Sequence, residues 1–474
     1  MTESSALFVK PPTVYPKRVW GRYRKLKWIA MVVLLGIYYL APFLRYNRGV
    51  GVPDQAILID LPARRAYFFG IEIWPQELYY VAGILVLAAI GLFFVSAILG
   101  RVWCGYACPQ TVWTDLFIWV ERIVQGDRNA RMKLDQSPLG VEKIFKKGLT
   151  HIIWLLIGVF TGGAWVLYFN DAPTLLRDAY SLHFSTNVLI WVFGLTFSTY
   201  VMAGFAREQV CSHMCPYARF QSAMFDKDTL IVSYDKDRGE PRGNYKAGAS
   251  RQGLGDCIDC GNCVTVCPTG IDIRNGLQME CIACGMCIDA CNNVMDKIGL
   301  PRGLIRYDTE SNYEGRTSAK ACGKKDFKAT LRLVRPRTIY YSAILCVVGG
   351  MMLTSLITRS PLDINITHDR NPMFVRLSSG GIRNNYTIKI MNMTTQAHDY
   401  SLKVSGIDNP DIKIVGAGEP IATHLRVPPD NEASYRVMLS VKDVTSEHTD
   451  IQFELKDNDT GKVASHPSLF IKGD

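Results

Sequence analysis

Five stretches of this sequence contain no Asp, Glu, Lys or Arg: residues 28–44, 78–99, 149–169, 187–206 and 338–358. A helix needs about 20 apolar residues to cross a bilayer, where the hydrocarbon offers backbone amides no partner and a helix satisfies them internally. The first run, at 17 residues, is the shortest. One such run would fit a buried helix of a soluble protein; five together predict an α-helical membrane domain. Hydrophobic residues make up 48% of the chain. That share is ordinary for a globular protein, so the membrane character lies in their distribution.

The net charge of +10 could suggest nucleic acid, but the basic residues flank the apolar runs, as the positive-inside rule expects. The tail to Lys27 carries seven Lys and Arg, residues 46–77 carry three, residues 101–148 carry eight, and residues 170–186 carry only Arg177. A further basic group (Lys320, Lys324, Lys325, Lys328, Arg332, Arg335, Arg337) precedes the fifth run. The alternation predicts a cytoplasmic N-terminus, a cytoplasmic segment between the fourth and fifth spans, and an exported C-terminal region. No cleavable signal peptide is expected, because the first apolar run follows a long basic tail and has no small-residue cleavage site behind it.

Twelve of the 14 cysteines fall between Cys104 and Cys291, and none follows Cys346. An exported disulfide protein would carry cysteines in its exported part, so this distribution points to metal or redox work. Cys257, Cys260, Cys263 and Cys267-Pro268 form C-x2-C-x2-C-x3-C-P, and Cys281, Cys284, Cys287 and Cys291 repeat the spacing. Structural zinc usually takes two C-x2-C pairs separated by a longer insert. The twin run instead resembles the bacterial two-cluster ferredoxin module, in which the fourth cysteine of each run serves the other cluster. It predicts one [4Fe–4S] cluster on Cys257, Cys260, Cys263 and Cys291, and a second on Cys281, Cys284, Cys287 and Cys267. Gly261 and Gly285 sit where the chain must turn tightly, and Ala283 is small enough for close backbone approach.

A second set of thiols lies in "WCGYACPQ" (103–110) and "CSHMCPYAR" (211–219), each containing C-x3-C-P just beyond a span that ends inside. Positions i and i+4 share a helix face. Cys104 with Cys108, and Cys211 with Cys215, could therefore each grip an ion, and the pairs could converge on one site. Thiolates select Cu(I), zinc or an iron–sulfur cluster. His213 and Met214 could add soft donors, although ordinary packing suits them better. Cys322 and Cys346 read as plain residues.

From about Pro361 the texture changes. "NNYTIKIMN", "HDYSLKVSG", "ASYRVMLSV" and "TDIQFELKD" alternate polar and apolar residues between Gly, Asn, Asp and Pro. Such strands predict an immunoglobulin-like β-sandwich. The polar "YDKDRGEPRG" at 234–243 reads as a flexible connector, with a docking site for an electron donor as the sharper alternative.

The five spans, two C-x3-C-P motifs, twin ferredoxin run, "YDKDRGEPRG" and β-domain together resemble the FixG/RdxA/CcoG family over nearly the whole chain. The resemblance implies a bacterial inner-membrane accessory protein for assembly of cbb3-type cytochrome c oxidase. It implies reduction of Cu(II) to Cu(I), with copper meeting Cys104, Cys108, Cys211 and Cys215. Expected partners are membrane lipid, a cytoplasmic electron donor, a copper chaperone or transporter and oxidase assembly factors, with no nucleic acid. The expected layout is a cytoplasmic tail (1–27), a four-span membrane domain (28–206), a cytoplasmic ferredoxin domain (207–337), a fifth span (338–358) and a periplasmic immunoglobulin-like domain (359–474). Two alternatives remain: a ferredoxin-type electron-transfer subunit linked to quinol or another respiratory chain, and an assembly scaffold or redox sensor.

Overall fold

The computed structural model describes residues 13–49, 51–245, 253–321, 331–360, 362–378, 380–394, 396–415, 425–429, 431–442 and 446–473. Cys322 lies outside them. The chain divides into two compact units, Met1–Tyr46 with Gln55–Met352, and Asn47–Asp54 with Leu353–Asp474.

Helices long and apolar enough to cross a membrane lie at Arg22–Phe43, Pro75–Leu99, Val141–Val166, Thr186–Met214 and Pro336–Ile357, the first four in the first unit and the last running from it into the second. The first helix, α1 (Arg22–Leu40), begins six residues before the charge-free run at 28. Its early turns carry Arg24 and Lys27, each only 4% exposed. Burying those charges would be costly alone, but Asp115 answers both: the Arg24 guanidinium donates to its carboxylate at 2.8 Å and the Lys27 ammonium lies 3.9 Å away. The helix therefore starts where its partner is, not where its charges stop.

After α1 come three short antiparallel strands, β1 (Ile57–Asp60), β2 (Arg65–Phe68) and β3 (Ile71–Ile73). Then follow α2 (Leu78–Leu99), α3 (Val102–Tyr106), α4 (Pro109–Val124), α5 (Val141–Val166) and α6 (Thr186–Val201). Trp154 of α5 stacks on Phe117 of α4 with ring centres 5.1 Å apart, and its indole N–H donates to the Phe117 carbonyl at 3.2 Å. Beyond α6 the helix loosens into two π-helical turns, Met202–Ala206 and Val210–Met214. It ends before α7 (Pro216–Met224).

The ferredoxin segment is framed by β4 (Ile231–Tyr234) and β5 (Ile305–Asp308), paired antiparallel with Val232 opposite Tyr307. Helix α8 (Met286–Lys297) carries the last two cysteines of the second run, Cys287 and Cys291, and α9 (Pro336–Ile357) is the last long apolar helix. The expected connector at 234–243 is not a loose tether. Asp235 caps a short helix, and the Arg238 guanidinium reaches the Asp256 carboxylate and the Pro301 and Arg302 carbonyls. One arginine thus clasps both flanks of the cysteine segment, which gives this stretch a fixed place that its Gly and Pro content concealed.

The second unit is a two-sheet β-sandwich. One sheet runs β10-β12-β8-β6, with β7 also paired to β8, and the other runs β11-β9-β13-β14. The ranges are β6 (Leu362–His368), β7 (Val375–Arg376), β8 (Ile382–Asn392), β9 (His398–Ser405), β10 (Asp411–Val415), β11 (Leu425–Val427), β12 (Asn431–Val441), β13 (His448–Asp457) and β14 (Val463–Ile471). The four stretches singled out by alternation are β8, β9, β12 and β13. Their inward residues, among them Tyr386, Ile388, Leu439 and Phe453, are fully buried in one core. The Tyr386 and Phe453 rings meet 5.0 Å apart across the two sheets.

Candidate iron–sulfur and thiolate centre

The two cysteine runs fold the same way. In each, the residue just before the second cysteine is left-handed, Asp259 at φ 52° and Ala283 at φ 49°. The glycine after the second cysteine is left-handed too, Gly261 at 63° and Gly285 at 72°, and each begins a helix that carries the third cysteine. Left-handed backbone is costly for a residue with a Cβ, so its repetition at matched positions marks a shape imposed twice for the same purpose. No disulfide joins any described cysteine.

Cys257, Cys260, Cys263 and Cys291 line one cavity, walled by Ile258, Val294, Met295, Leu304 and Ile305. Burial pushes the Cys291 thiol up to about 12, and its thiol neighbours Cys263, Cys260 and Cys257 add to the shift. Around Cys287 the neighbouring thiols are Cys284, Cys281, Cys267 and Cys263, and burial again raises it. Each run's fourth cysteine therefore faces the other run's first three. Buried thiols resist ionisation unless a cation compensates, and a bound metal does so. The donor set fits two [4Fe–4S] clusters.

The C-x3-C-P pairs do not lie on single helix faces as expected. Cys104 is inside α3, which ends at Tyr106, whereas Cys108 is the extended residue before α4 (ψ 128°). Cys211 sits in the second π-helical turn, and Cys215 is the extended residue before α7 (ψ 111°). The cause is the proline, which disfavours helical backbone in the residue before it and starts a new helix at its own position. The four thiols nonetheless gather. Burial pushes Cys104 up to about 12, with Arg101 working the other way and Cys108, Cys211 and Cys215 all close enough to add to the shift. His213 and Met214 are both exposed.

This second thiol group packs directly against the second ferredoxin run. Cys104 joins the buried cluster of Val19, Val266, Ile282, Cys284, Met286 and Ala290. A Cβ on Gly105 would stand 2.7 Å from the Ile282 carbonyl oxygen, so only glycine permits the approach. The Tyr106 hydroxyl donates to the Cys284 carbonyl at 2.9 Å, and the Tyr307 hydroxyl donates to the Ala283 carbonyl.

Arg101 lies between the two groups and is 5% exposed. It donates to the Met279 and Cys281 carbonyls and, at 3.0 Å, to the Gln221 side-chain oxygen, which also accepts from the Cys104 thiol at 3.3 Å. Among the described residues it has no carboxylate partner. Helix α8 is tied to α1 as well: the Asp289 carboxylate accepts from the Arg24 backbone N–H at 2.8 Å and from that of Tyr23 at 3.3 Å.

Sequence reasoning missed Arg101, Tyr106, Tyr307, Asp115 and Asp289. Arg101 and Tyr106 stand inside or beside "WCGYACP", Asp115 lies seven residues past Cys108 and Asp289 lies between Cys287 and Cys291, so position could have flagged them; Tyr307 lies 16 residues beyond the second run. A further acid–histidine group lies in β9 and the β13–β14 turn, where the His398 imidazole Nδ1 stands 3.1 Å from Asp457 and 3.4 Å from Asp459. Asp457 also accepts from the Asp459 and Thr460 backbone N–H groups and the Thr460 hydroxyl, which makes it a turn anchor.

Three known families match the chain: a 4Fe-4S binding domain over residues 81–126, a 4Fe-4S dicluster domain over 206–310, and the IG-like fold at the C-terminus of FixG over 352–473. The chain is 48% identical to protein RdxB of Cereibacter sphaeroides, over 99% of this chain and 98% of that one. It is 46% identical to the nitrogen fixation protein FixG of Rhizobium meliloti, over 92% and 87%. The crystal structure of a FixG-related protein from Vibrio parahaemolyticus matches 24% of this chain and 97% of that one, at 26% identity and a TM-score of 0.21.

Proposed function

The chain belongs to the FixG/RdxA family of iron–sulfur electron-transfer proteins, and from that premise we propose that it reduces Cu(II) to Cu(I) for assembly of a cbb3-type cytochrome c oxidase. In this reading it is a cupric reductase of the bacterial inner membrane. Its N-terminus and ferredoxin segment are cytoplasmic and its β-sandwich is periplasmic, as the basic loops suggest. Cys257, Cys260, Cys263 and Cys291 hold one [4Fe–4S] cluster, and Cys267, Cys281, Cys284 and Cys287 the other. Bound clusters of this type supply single electrons.

The observation that carries the reading is the contact between Cys104 and the Cys284 loop. Cys104, Cys108, Cys211 and Cys215 receive Cu(II), which gains one electron, originating with a cytoplasmic donor, and becomes Cu(I). Soft thiolates favour that product and retain it until a copper chaperone or transporter takes it. Arg101, buried beside both thiol groups, offsets their negative charge. The apolar packing around Cys104 excludes water from the contact.

The test uses anaerobically purified, pre-reduced protein freed of reductant and then given Cu(II), with Cu(I) read by a specific chelator alongside cluster absorbance. Cu(I) should form in step with cluster oxidation. A variant with Cys104, Cys108, Cys211 and Cys215 all changed to Ser should keep its clusters and lose the reaction. Equal copper reduction by both proteins would remove the thiols from the copper site; no reduction by either would remove copper as substrate and favour a quinol-linked electron-transfer role.

A second reading rests on the 4Fe-4S binding family that covers 81–126, where Cys104 and Cys108 are the only cysteines. There the four thiols hold iron instead of copper. The same variant separates the two: unchanged iron content supports copper, and a loss of iron supports an additional cluster.

A further inference from the structure

A groove of about 670 Å³ runs between the first turns of α1 and the outer face of α4, lined by Arg18, Trp20, Lys25, Trp28, Trp119 and Arg122 among others. Its chemistry is divided. Trp20, Ile29, Trp119 and Ile123 expose 58%, 60%, 40% and 63% of their surface and form an apolar wall. Against it stand three cations, Arg18, Lys25 and Arg122, and among the described residues none of them forms an ion pair. Arg18 lies over the Trp20 ring at 4.4 Å. Arg122 gives one N–H to the Pro16 carbonyl at 3.1 Å, while its Nε is buried with no partner. Burial and the nearby Arg24 charge both work against the Arg122 cation, answered only at longer range by Asp115 and Asp127.

We propose that this groove binds an anionic phospholipid, its phosphate among Arg18, Lys25 and Arg122 and its first acyl carbons along Trp28, Ile29, Trp119 and Ile123. Three observations fix that occupant. The cations lack an anion, which a headgroup phosphate supplies. The groove lies at the end of a helix long enough to span, where tryptophans and basic side chains meet the headgroup layer. The wall beside the cations is exposed and apolar, which suits an acyl chain and not a free anion. Helix α4 then lies along the membrane surface with Trp119 and Ile123 toward lipid, and the lipid braces α1 against α4, whose Asp115 holds Arg24.

The test is lipid retention by the full-length, cluster-loaded protein after exposure to vesicles of equal phosphatidylglycerol and phosphatidylcholine, read by native mass spectrometry. Wild type should retain phosphatidylglycerol preferentially. Lys25→Gln, at an exposed position, should weaken the preference about fivefold, and R18Q/K25Q/R122Q on the order of a hundredfold, given the usual contribution of one basic residue near an anionic surface. R332Q/R337Q, basic positions just before and at the start of α9, should leave it unchanged. Equal retention of both lipids by wild type, unchanged preference in Lys25→Gln, or equal loss in the α9 variant would overturn the proposal. So would competition by inorganic phosphate at the same concentration, which would make the groove a simple anion site.

Discussion

The two ferredoxin runs share one backbone course but live in different surroundings. In the first, Cys260 is exposed, and the nearby Arg274 is neutralised by Asp272 and Asp259 at the surface. In the second, Cys281 and Cys284 are buried, and the loop is roofed by Tyr106, Tyr307 and Arg101. Identical spacing therefore meets two surroundings: the first loop is open, where the proposed function places a soluble donor, and the second is packed against Cys104. The largest expected effect breaks this asymmetry directly. Cys284→Ser should abolish Cu(I) formation from any reductant, whereas Cys260→Ser should cripple reduction by a protein donor yet leave part of the rate with a small chemical reductant. Single-turnover copper assays decide it, and equal losses in both variants would mean that the two loops are interchangeable.

The next effect concerns how the second run is held. Asp115 is buried against Arg24 and Lys27, and removing one partner of such a group typically costs about 3–5 kcal/mol because the other charge is stranded. Asp115→Asn should lower the thermal midpoint markedly, and adding Arg24→Met should recover much of the loss. The counterpart is the exposed Asp296–Arg302 pair on the far end of α8. Asp296→Asn should leave the midpoint unmoved, since solvent already screens that pair.

These contrasts also mark what the sequence made legible. The five long helices, the four strands of β8, β9, β12 and β13, and the exchange of fourth cysteines follow from periodicity and spacing, which are local. The start of α1 at Arg22 was hidden because it depends on Asp115, about ninety residues away. The fixed course of 234–243 was hidden for the same reason, since Arg238 finds its partners at Asp256, Pro301 and Arg302. The break within each C-x3-C-P was visible in principle: a proline after the second cysteine says that the helix cannot run through it. That four thiols from two distant motifs meet, and meet the Cys284 loop, is a property of packing that no single motif encodes.

Arg101→Gln sharpens the comparison electrically. Glutamine can keep one bond to the carbonyls of Met279 or Cys281 but removes a buried positive charge from beside the second run alone. Adding an electron costs more once that charge is gone, so the potential of the second cluster should fall by on the order of 60–100 mV. The first cluster should hold its value. A potentiometric titration followed by electron paramagnetic resonance reads both, and a parallel shift of the two would show that Arg101 acts through the fold instead of through its charge.

The smallest effect isolates a single hydrogen bond. Tyr307 sits on β5 opposite Val232 and donates its hydroxyl to the carbonyl of Ala283, the residue held left-handed at φ 49°. Asp259, its counterpart in the first run, instead takes its bond through the side chain, from Arg274. The tyrosine therefore pins a strained peptide in the packed loop, where the open loop relies on a surface ion pair. Tyr307→Phe should cost about 0.5–1.5 kcal/mol and move the second potential less than Arg101→Gln does. Ala283→Gly relieves the left-handed strain, so combining it with Tyr307→Phe should return most of the lost stability. If the double variant is no more stable than Tyr307→Phe alone, the bond's work lies in fixing the peptide's direction toward the cluster, and its loss should then appear in the potential and not in the midpoint.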